Sequence, residues 1–247
     1  MKKWLAALSA FLTVYVFFLV AFIPANFVIN KVKLPDNIQL GNVSGSIWQS
    51  KIDTVLIEKT LINQVNINVN WLSTILFNPS TDITFGGSLY QGPEGHFNAK
   101  GFMSDLTISD LFVSVDANNL AQQLPLPIPV EAKNTISVTI NEFVLGQPVC
   151  QQLVGNLQWS NAAITALSEQ VPLGTLNAIL SCVKGKAVVT LDENNDLGVS
   201  FTAQLDKGGA ISGNGYLTPH NKLPKAVEQV LPFLGRQDQQ GRYRLAF

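Results

Sequence analysis

The sequence predicts a mainly β fold: a single N-terminal transmembrane helix followed by a strand-rich antiparallel sheet or sandwich-like body with a few short helices. Three observations carry that prediction. One uncharged apolar run opens the chain, apolar and polar residues then alternate with period two through most of its remaining length, and helical segments are few and short. The 247 residues suffice for one large or two small domains. Charged residues make up only 13% of them, and a polar but weakly charged chain rich in Val, Ile, Leu and Thr favours strands.

Met1-Lys2-Lys3 precedes WLAALSAFLTVYVFFLVAFI, residues 4–23, which holds no charge. At about 1.5 Å rise per residue this run spans roughly 30 Å, the thickness of a bilayer's hydrocarbon core. Trp4 stands at its start and Ile23 at its end. Lys2 and Lys3 favour a cytoplasmic N-terminus at 1–3; Lys31 and Lys33 count against that orientation, but a body so poor in charge translocates readily. The run exceeds the apolar region of about 7–15 residues in a cleaved signal peptide, and Ile23-x-Ala25 is a poor cleavage site, so an uncleaved signal-anchor is predicted.

Residues 24–38, PANFVINKVKLPDNI, read as a linker in which Pro24 and Pro35 stop helices. From 39 to 247 the strand pattern takes over. In VNINVNW, Val65, Ile67, Val69 and Trp71 alternate with asparagines; in VSFTAQL, Val199, Phe201, Ala203 and Leu205 alternate with polar residues. Shorter runs of the same kind fall at 52–59, 81–90, 95–102, 106–116, 135–145, 151–159, 174–183, 186–192, 209–217 and 241–247. Helices are predicted at 71–79, 118–124 and 225–235. The alternate prolines of LPLPIP, 124–129, force an extended segment and mark the best place for a subdivision, near 124–130. Gly45-x-Ile47-Trp48 and Gly155-x-Leu157-x-Trp159 echo each other one residue out of phase, which leaves open whether the halves repeat.

Little in the chain promises chemistry. A formal net charge of −1 gives no broad attraction for nucleic acid. In DENNDLG, Asp192, Asn194 and Asp196 match the first three ligands of a calcium loop, but Leu197 and Ala203 stand where the turn glycine and closing glutamate belong, so a polar hairpin tip is predicted. The histidines, His96 and His220, are remote from a serine nucleophile motif. Glu94, Asp105, Asp110 and Asp116 are spread singly, and GGAISGNG lacks the lysine and helix of a phosphate loop. No catalytic residue, metal site or cofactor is predicted. On the outer, oxidising side of a membrane, Cys150 and Cys182 read as a disulfide.

The stretch QLGNVSGSIWQSK, 39–51, places Gly41 and Gly45 for a turn or bulge just before Ile47-Trp48. Trp48 is expected to bury a large apolar area and to fix the first strand near the membrane. The longer segment LPDNIQLGNVSGSIWQSKI resembles the start of the extramembrane domain of type II secretion system protein N. That family shows leucine-proline, here Leu34-Pro35, then valine-x-glycine-x-x-tryptophan, here Val43, Gly45 and Trp48, and a tryptophan near the end of a following strand, like Trp71. The C-terminal segment is similar to the family's closing strand, a short helix ending Leu234-Gly235, and a final Gly241-Arg242-Tyr243.

The resemblance implies a Gram-negative inner-membrane protein with one span, a cytoplasmic N-terminus and a periplasmic bulk. It implies an accessory, non-enzymatic part in the export of folded periplasmic proteins across the outer membrane, exercised through contacts with other secretion subunits. It offers no catalytic residues. The strand-rich body is also similar to AsmA-like proteins, which hold lipid in an apolar groove of a curved sheet, so binding of a lipid or apolar ligand is the alternative expectation. A periplasmic hydrolase comes third and requires His96 or His220 beside a serine and a carboxylate.

Overall fold

The computed structural model describes residues 2–87, 89–102, 105–122, 130–166, 169–192, 194–208, 210–221, 223–231 and 235–246. Helix α1, Lys2–Ala21, has 20 residues and covers most of the predicted span. Among the described residues no helix is long and apolar enough to cross a membrane; the structure therefore establishes the helix over this stretch and not its insertion. Pro24 interrupts the chain as expected, but the predicted linker is not all coil. It contains a single helical turn, α2, Ala25–Ile29, and Ile38 already belongs to a strand.

Among the described residues, 15 strands form one sheet. They begin with β1 (Ile38–Leu40), β2 (Val43–Gly45), β3 (Gln49–Ile57) and β4 (Thr60–Val69). After helix α3 (Trp71–Ile75) come β5 (Ser80–Phe85), β6 (Glu94–Lys100) and β7 (Thr107–Asp116), then helix α4 (Ala117–Ala121). The second half continues with β8 (Val130–Lys133), β9 (Thr135–Leu145), β10 (Cys150–Ala166), β11 (Glu169–Val183), β12 (Lys186–Leu191), β13 (Val199–Leu205) and β14 (Ile211–Leu217). Helix α5 (Lys225–Val230) precedes the last strand, β15 (Tyr243–Ala246). Of the two arrangements the pattern allowed, the molecule has the sheet and not the sandwich.

The order is a meander in which sequence neighbours pair antiparallel, except that β2 joins β1 on β3 and β8 joins β9 on β10. Both exceptions are single strands broken in two. Gly41 and Asn42 separate β1 from β2, and Asn134, at φ 68°, separates β8 from β9. Asparagine tolerates this left-handed conformation better than most residues. Opposite it, Asn161 has φ 47° and β10 shifts register between Trp159 and Ala162. The side chain of Asn134 donates to the Asn161 carbonyl at 2.6 Å, and the Trp159 indole donates to the Lys133 carbonyl at 2.9 Å. The proline-rich stretch lies outside the described residues, but the sheet is continuous across the boundary it suggested, because β7 pairs with β9 from Thr107↔Val144 to Asp116↔Thr135.

Full burial is concentrated late in the chain. Ala162, Val171 and Leu173 form one cluster with Trp159, Leu197 and Val227. Leu217, Leu223 and Leu231 form another with Val227, Tyr243 and Leu245, so α5 closes over this end of the sheet. Between Ile38 and Asp116, Ile52 and Val65 are the fully buried hydrophobics among the described residues. A sheet without a second layer leaves both faces partly wet. That is why the strict alternation of β4 in sequence becomes a nearly uniform half-burial in space.

Candidate functional site: the helix–sheet junction

A helix ends with backbone carbonyls that have no partner within it. At the end of α1 the first strands supply those partners. The Trp48 indole Nε1 donates to the Val20 carbonyl at 3.0 Å. One turn further on, the Ile47 amide donates to the Ile23 carbonyl at 3.0 Å, and Pro24 forms an antiparallel bridge with Ser46. The chain thus crosses from helix to sheet held by the Trp48–Val20 bond and, just beyond α1, by the pairing of Ile23-Pro24 with Ser46-Ile47.

The turn that presents Trp48 is built locally. The Ser46 amide donates to the Gln49 carbonyl at 2.9 Å, and the Ser46 hydroxyl accepts from the Trp48 and Gln49 amides, each at 3.3 Å. Gly45 enters the turn at φ +87°, where a Cβ would stand 2.2 Å from the Gln49 carbonyl oxygen. Only glycine fits. Val43 pairs with Ile52 across β2 and β3, and the Pro35 carbonyl accepts the Ile38 amide at 3.0 Å in the turn before β1. The Trp48 carbonyl in turn accepts the Val69 amide at 2.7 Å, which ties the junction to the end of β4 and to Trp71 at the start of α3. A cavity of 440 Å³ lies between these parts, lined by Phe17, Val20 and Phe22 of the N-terminal segment and by Trp48, Trp71 and Ile75. Trp4, at the far end of α1, is 83% exposed.

The other predicted residues fall at two separate places. Cys150 and Cys182 form the predicted disulfide. It closes the open end of the β10–β11 hairpin, where the Gly185 carbonyl also accepts the amides of Val149 and Cys150 at 2.8 and 3.0 Å. Near the C-terminus, Gly241 makes the turn into β15 at φ +75°. The side chain of Arg242 grips Asp238 through Nε at 3.0 Å and Nη2 at 2.9 Å, and its guanidinium lies 4.0 Å over the Tyr216 ring. The Arg242 amide donates to the Asp238 carboxylate, as do its guanidinium and the Gln240 amide; against the opposing cost of desolvation, these hold the carboxyl below the usual aspartate range. Tyr243 pairs with Leu217 and packs in the terminal cluster. Gly235 lies at φ +105°, with open space among the described residues where a Cβ would stand.

The polar run at 192–198 connects β12 to β13. The Asn195 side-chain oxygen accepts the Leu197 and Val199 amides at 3.1 and 3.2 Å, an Asx-type turn. Among the described residues no group of His, Cys, Asp and Glu is arranged to hold a metal ion. His96, on β6, packs against Phe112 with ring centroids 5.9 Å apart and planes tilted by 32°. Sequence reasoning missed the Val20 carbonyl, Tyr216 and Asp238. Of these only Asp238 carried a signal, its spacing of four from Arg242.

The model of the family described as type II secretion system (T2SS), protein N matches residues 36–246. The chain belongs to that family. The type II secretion system protein N of Aeromonas hydrophila is 30% identical over 254 residues, spanning 100% of this chain and 98% of that protein. Its counterpart of the same name in Vibrio cholerae serotype O1 is 25% identical over 250 residues, spanning 98% and 97%. The one in Klebsiella pneumoniae is 24% identical over 235 residues, spanning 93% and 89%. No solved structure matches. The family match contains the whole junction turn and the Gly241-Arg242-Tyr243 motif, while α1 precedes it and Pro35 lies one residue outside.

Proposed function

We propose that this chain is an accessory, non-catalytic component of the type II secretion system. In this reading α1 anchors it in the inner membrane with its N-terminus in the cytoplasm, and its sheet works in the periplasm through contacts with other subunits. Family membership supports a role in type II secretion and implies interaction with that system's components. The anchor reading is supported by the uncharged stretch at 4–23 and by the outward apolar side chains of α1, among them Phe11 at 67% and Phe17 at 60% exposure. A disulfide is at home in an oxidising compartment.

The observation that carries the proposal is the attachment of the end of α1, through Val20, and of the Ile23-Pro24 segment just beyond it, to the turn before β3. A flexible tether would only concentrate the body near a membrane; a fixed helix end orients it, as a subunit that docks on neighbours requires. The test is to purify the secretion complex from cells with this chain tagged, and to treat intact spheroplasts with protease. Secretion subunits should accompany the chain and the body should be digested. A chain that purifies alone, or a body that survives because it lies in the cytosol, overturns the proposal.

A second reading is favoured by the wet N-terminal half of the sheet, in which Ile52 and Val65 are the buried hydrophobics among the described residues. An apolar sheet face without a covering layer can hold a lipid, as in AsmA-like proteins. Mass spectrometry of the gently extracted protein decides it: a stoichiometric lipid supports this reading, an empty protein ends it.

A further inference from the structure

One group of exposed hydrophobics on the body is contiguous. Trp71, Leu72, Ile75, Leu76 and Phe77 cluster in and just after α3, and their exposures are 54, 54, 60, 69 and 84%. No residue of α3 is buried. No charged residue occurs between Lys59 and Asp82. A short helix that packed its apolar side on the sheet would show the reverse.

The polar groups of this segment are turned inward and used up. The Asn70 side chain caps the helix by accepting the Ser73 amide at 3.1 Å. The hydroxyls of Ser73 and Thr74 donate to the Asn70 carbonyl at 2.9 and 2.8 Å, and the Ser73 hydroxyl accepts the Ser80 amide at 3.1 Å. Phe77, at φ 58°, accepts a left-handed backbone, and its ring is the most exposed of the five. A surface with its polar groups satisfied internally suits hydrocarbon, where each unpaired group is costly.

Position identifies what covers it. Trp71 and Ile75 line the same cavity as Phe17, Val20, Ala21 and Phe22. Phe17 precedes Ile23 by six residues, about 9 Å along a helix axis. Helices that lie in a membrane interface are buried about 5–10 Å into the headgroup–acyl boundary. The segment is therefore placed at the depth such a helix takes, beside the outer end of α1. Tryptophan at this level is the residue the interface favours.

We propose that α3, with Leu76 and Phe77, lies in the outer interfacial layer of the membrane that α1 enters and contacts lipid acyl chains as a second, monotopic attachment. This rests on the reading of α1 as the anchor. A sheet attached at two membrane contacts cannot swivel about one; its tilt relative to the bilayer is set.

The test uses the full chain in vesicles of phosphatidylethanolamine and phosphatidylglycerol. The native cysteines are paired and do not label. Nitroxide is attached at Leu72→Cys, Leu76→Cys or Phe77→Cys, with Phe17→Cys on α1 and the exposed Ile179→Cys on the sheet as references. Collision with oxygen, which concentrates in lipid, is compared with collision with a water-borne nickel chelate. The α3 labels should behave as lipid-immersed, about 5–10 Å below the headgroups, with Ile179→Cys in water. Water-exposed α3 labels together with a lipid-immersed Phe17→Cys overturn this inference alone. A water-exposed Phe17→Cys overturns the anchor reading and this inference with it. Labels at α3 shielded from both reagents show protein contact and also overturn it.

Discussion

Replacing both Cys150 and Cys182 by alanine should lower stability by about 3.7 kcal/mol at 25 °C, from the chain-entropy relation for a cross-link closing a loop of this size. The loop is set by a sequence separation of 32. The double replacement leaves no lone thiol to exchange or oxidise. Little of the loss should come from the backbone of the folded state, because the amides of Val149 and Cys150 also donate to the Gly185 carbonyl and should hold this end in place. At about 2–4 °C per kcal/mol for a domain of this size, the midpoint should fall by roughly 7–15 °C. The assay is thermal unfolding of the full chain in detergent, followed by near-ultraviolet circular dichroism, with and without the bridge. A variant melting within about 2 °C of the parent would refute the reasoning; the hairpin's open end would then be held in the unfolded chain by something other than the disulfide.

Trp48→Phe keeps most of the ring but removes the donor to the Val20 carbonyl, at a cost of about 0.5–1.5 kcal/mol; hydrogen exchange should quicken at the amides of Ile47 and Val69 and stay unchanged in β12, and uniform exchange would contradict it. Gly45→Ala forces a Cβ toward the Gln49 carbonyl in a left-handed backbone and should cost about 1–3 kcal/mol in a denaturant midpoint shift at constant slope, whereas Gly235→Ala meets no neighbour among the described residues and should cost less. Asp238, held below the usual aspartate range, stabilises the C-terminal turn fully above the unfolded-state pKa and loses that contribution as pH falls through its own lower value. NMR titration of its carboxyl carbon should give a depressed midpoint that rises only part of the way toward normal in Arg242→Ala, because the amides of residues 240 and 242 still donate, and a normal midpoint in the parent would remove the interaction.

How much of the fold is legible in the sequence depends on strand length and on layers. Strands of seven residues or more with clean alternation read well: β9 and β13 span 135–145 and 199–205, as their pattern predicts. The three- and four-residue pieces β1, β2 and β8 escape notice, because a broken strand offers too few alternations to register a period. The pattern of β10 reads only as far as 159, because Asn161 adds a bulge that reverses the phase of everything after it. Of the candidate site, Gly45 is legible as a turn, whereas Trp48, expected to be deeply packed, is half-buried. The partner of Trp48 is not legible, since a backbone carbonyl 28 positions away has no letter in the sequence.

The segment WLSTILF shows where pattern and physics part. As letters it reads as a helix with an apolar face, and the ordinary inference is that such a face points inward. What turns it outward is visible only in three dimensions. Ser73, Thr74 and Asn70 bond to one another and to Ser80, so the polar side is the one pinned to the sheet and the apolar side has nowhere to go but out. In water that arrangement would lose the burial of five large side chains, each worth about 1.5–3 kcal/mol. A fold that keeps it gains only where the surroundings are themselves apolar, which the proposed anchoring of α1 in a membrane would supply. Lipid contact by α3 thus presupposes the insertion of α1, and a charge introduced at Phe77 should weaken the hold of the sheet on a bilayer while leaving its strands intact.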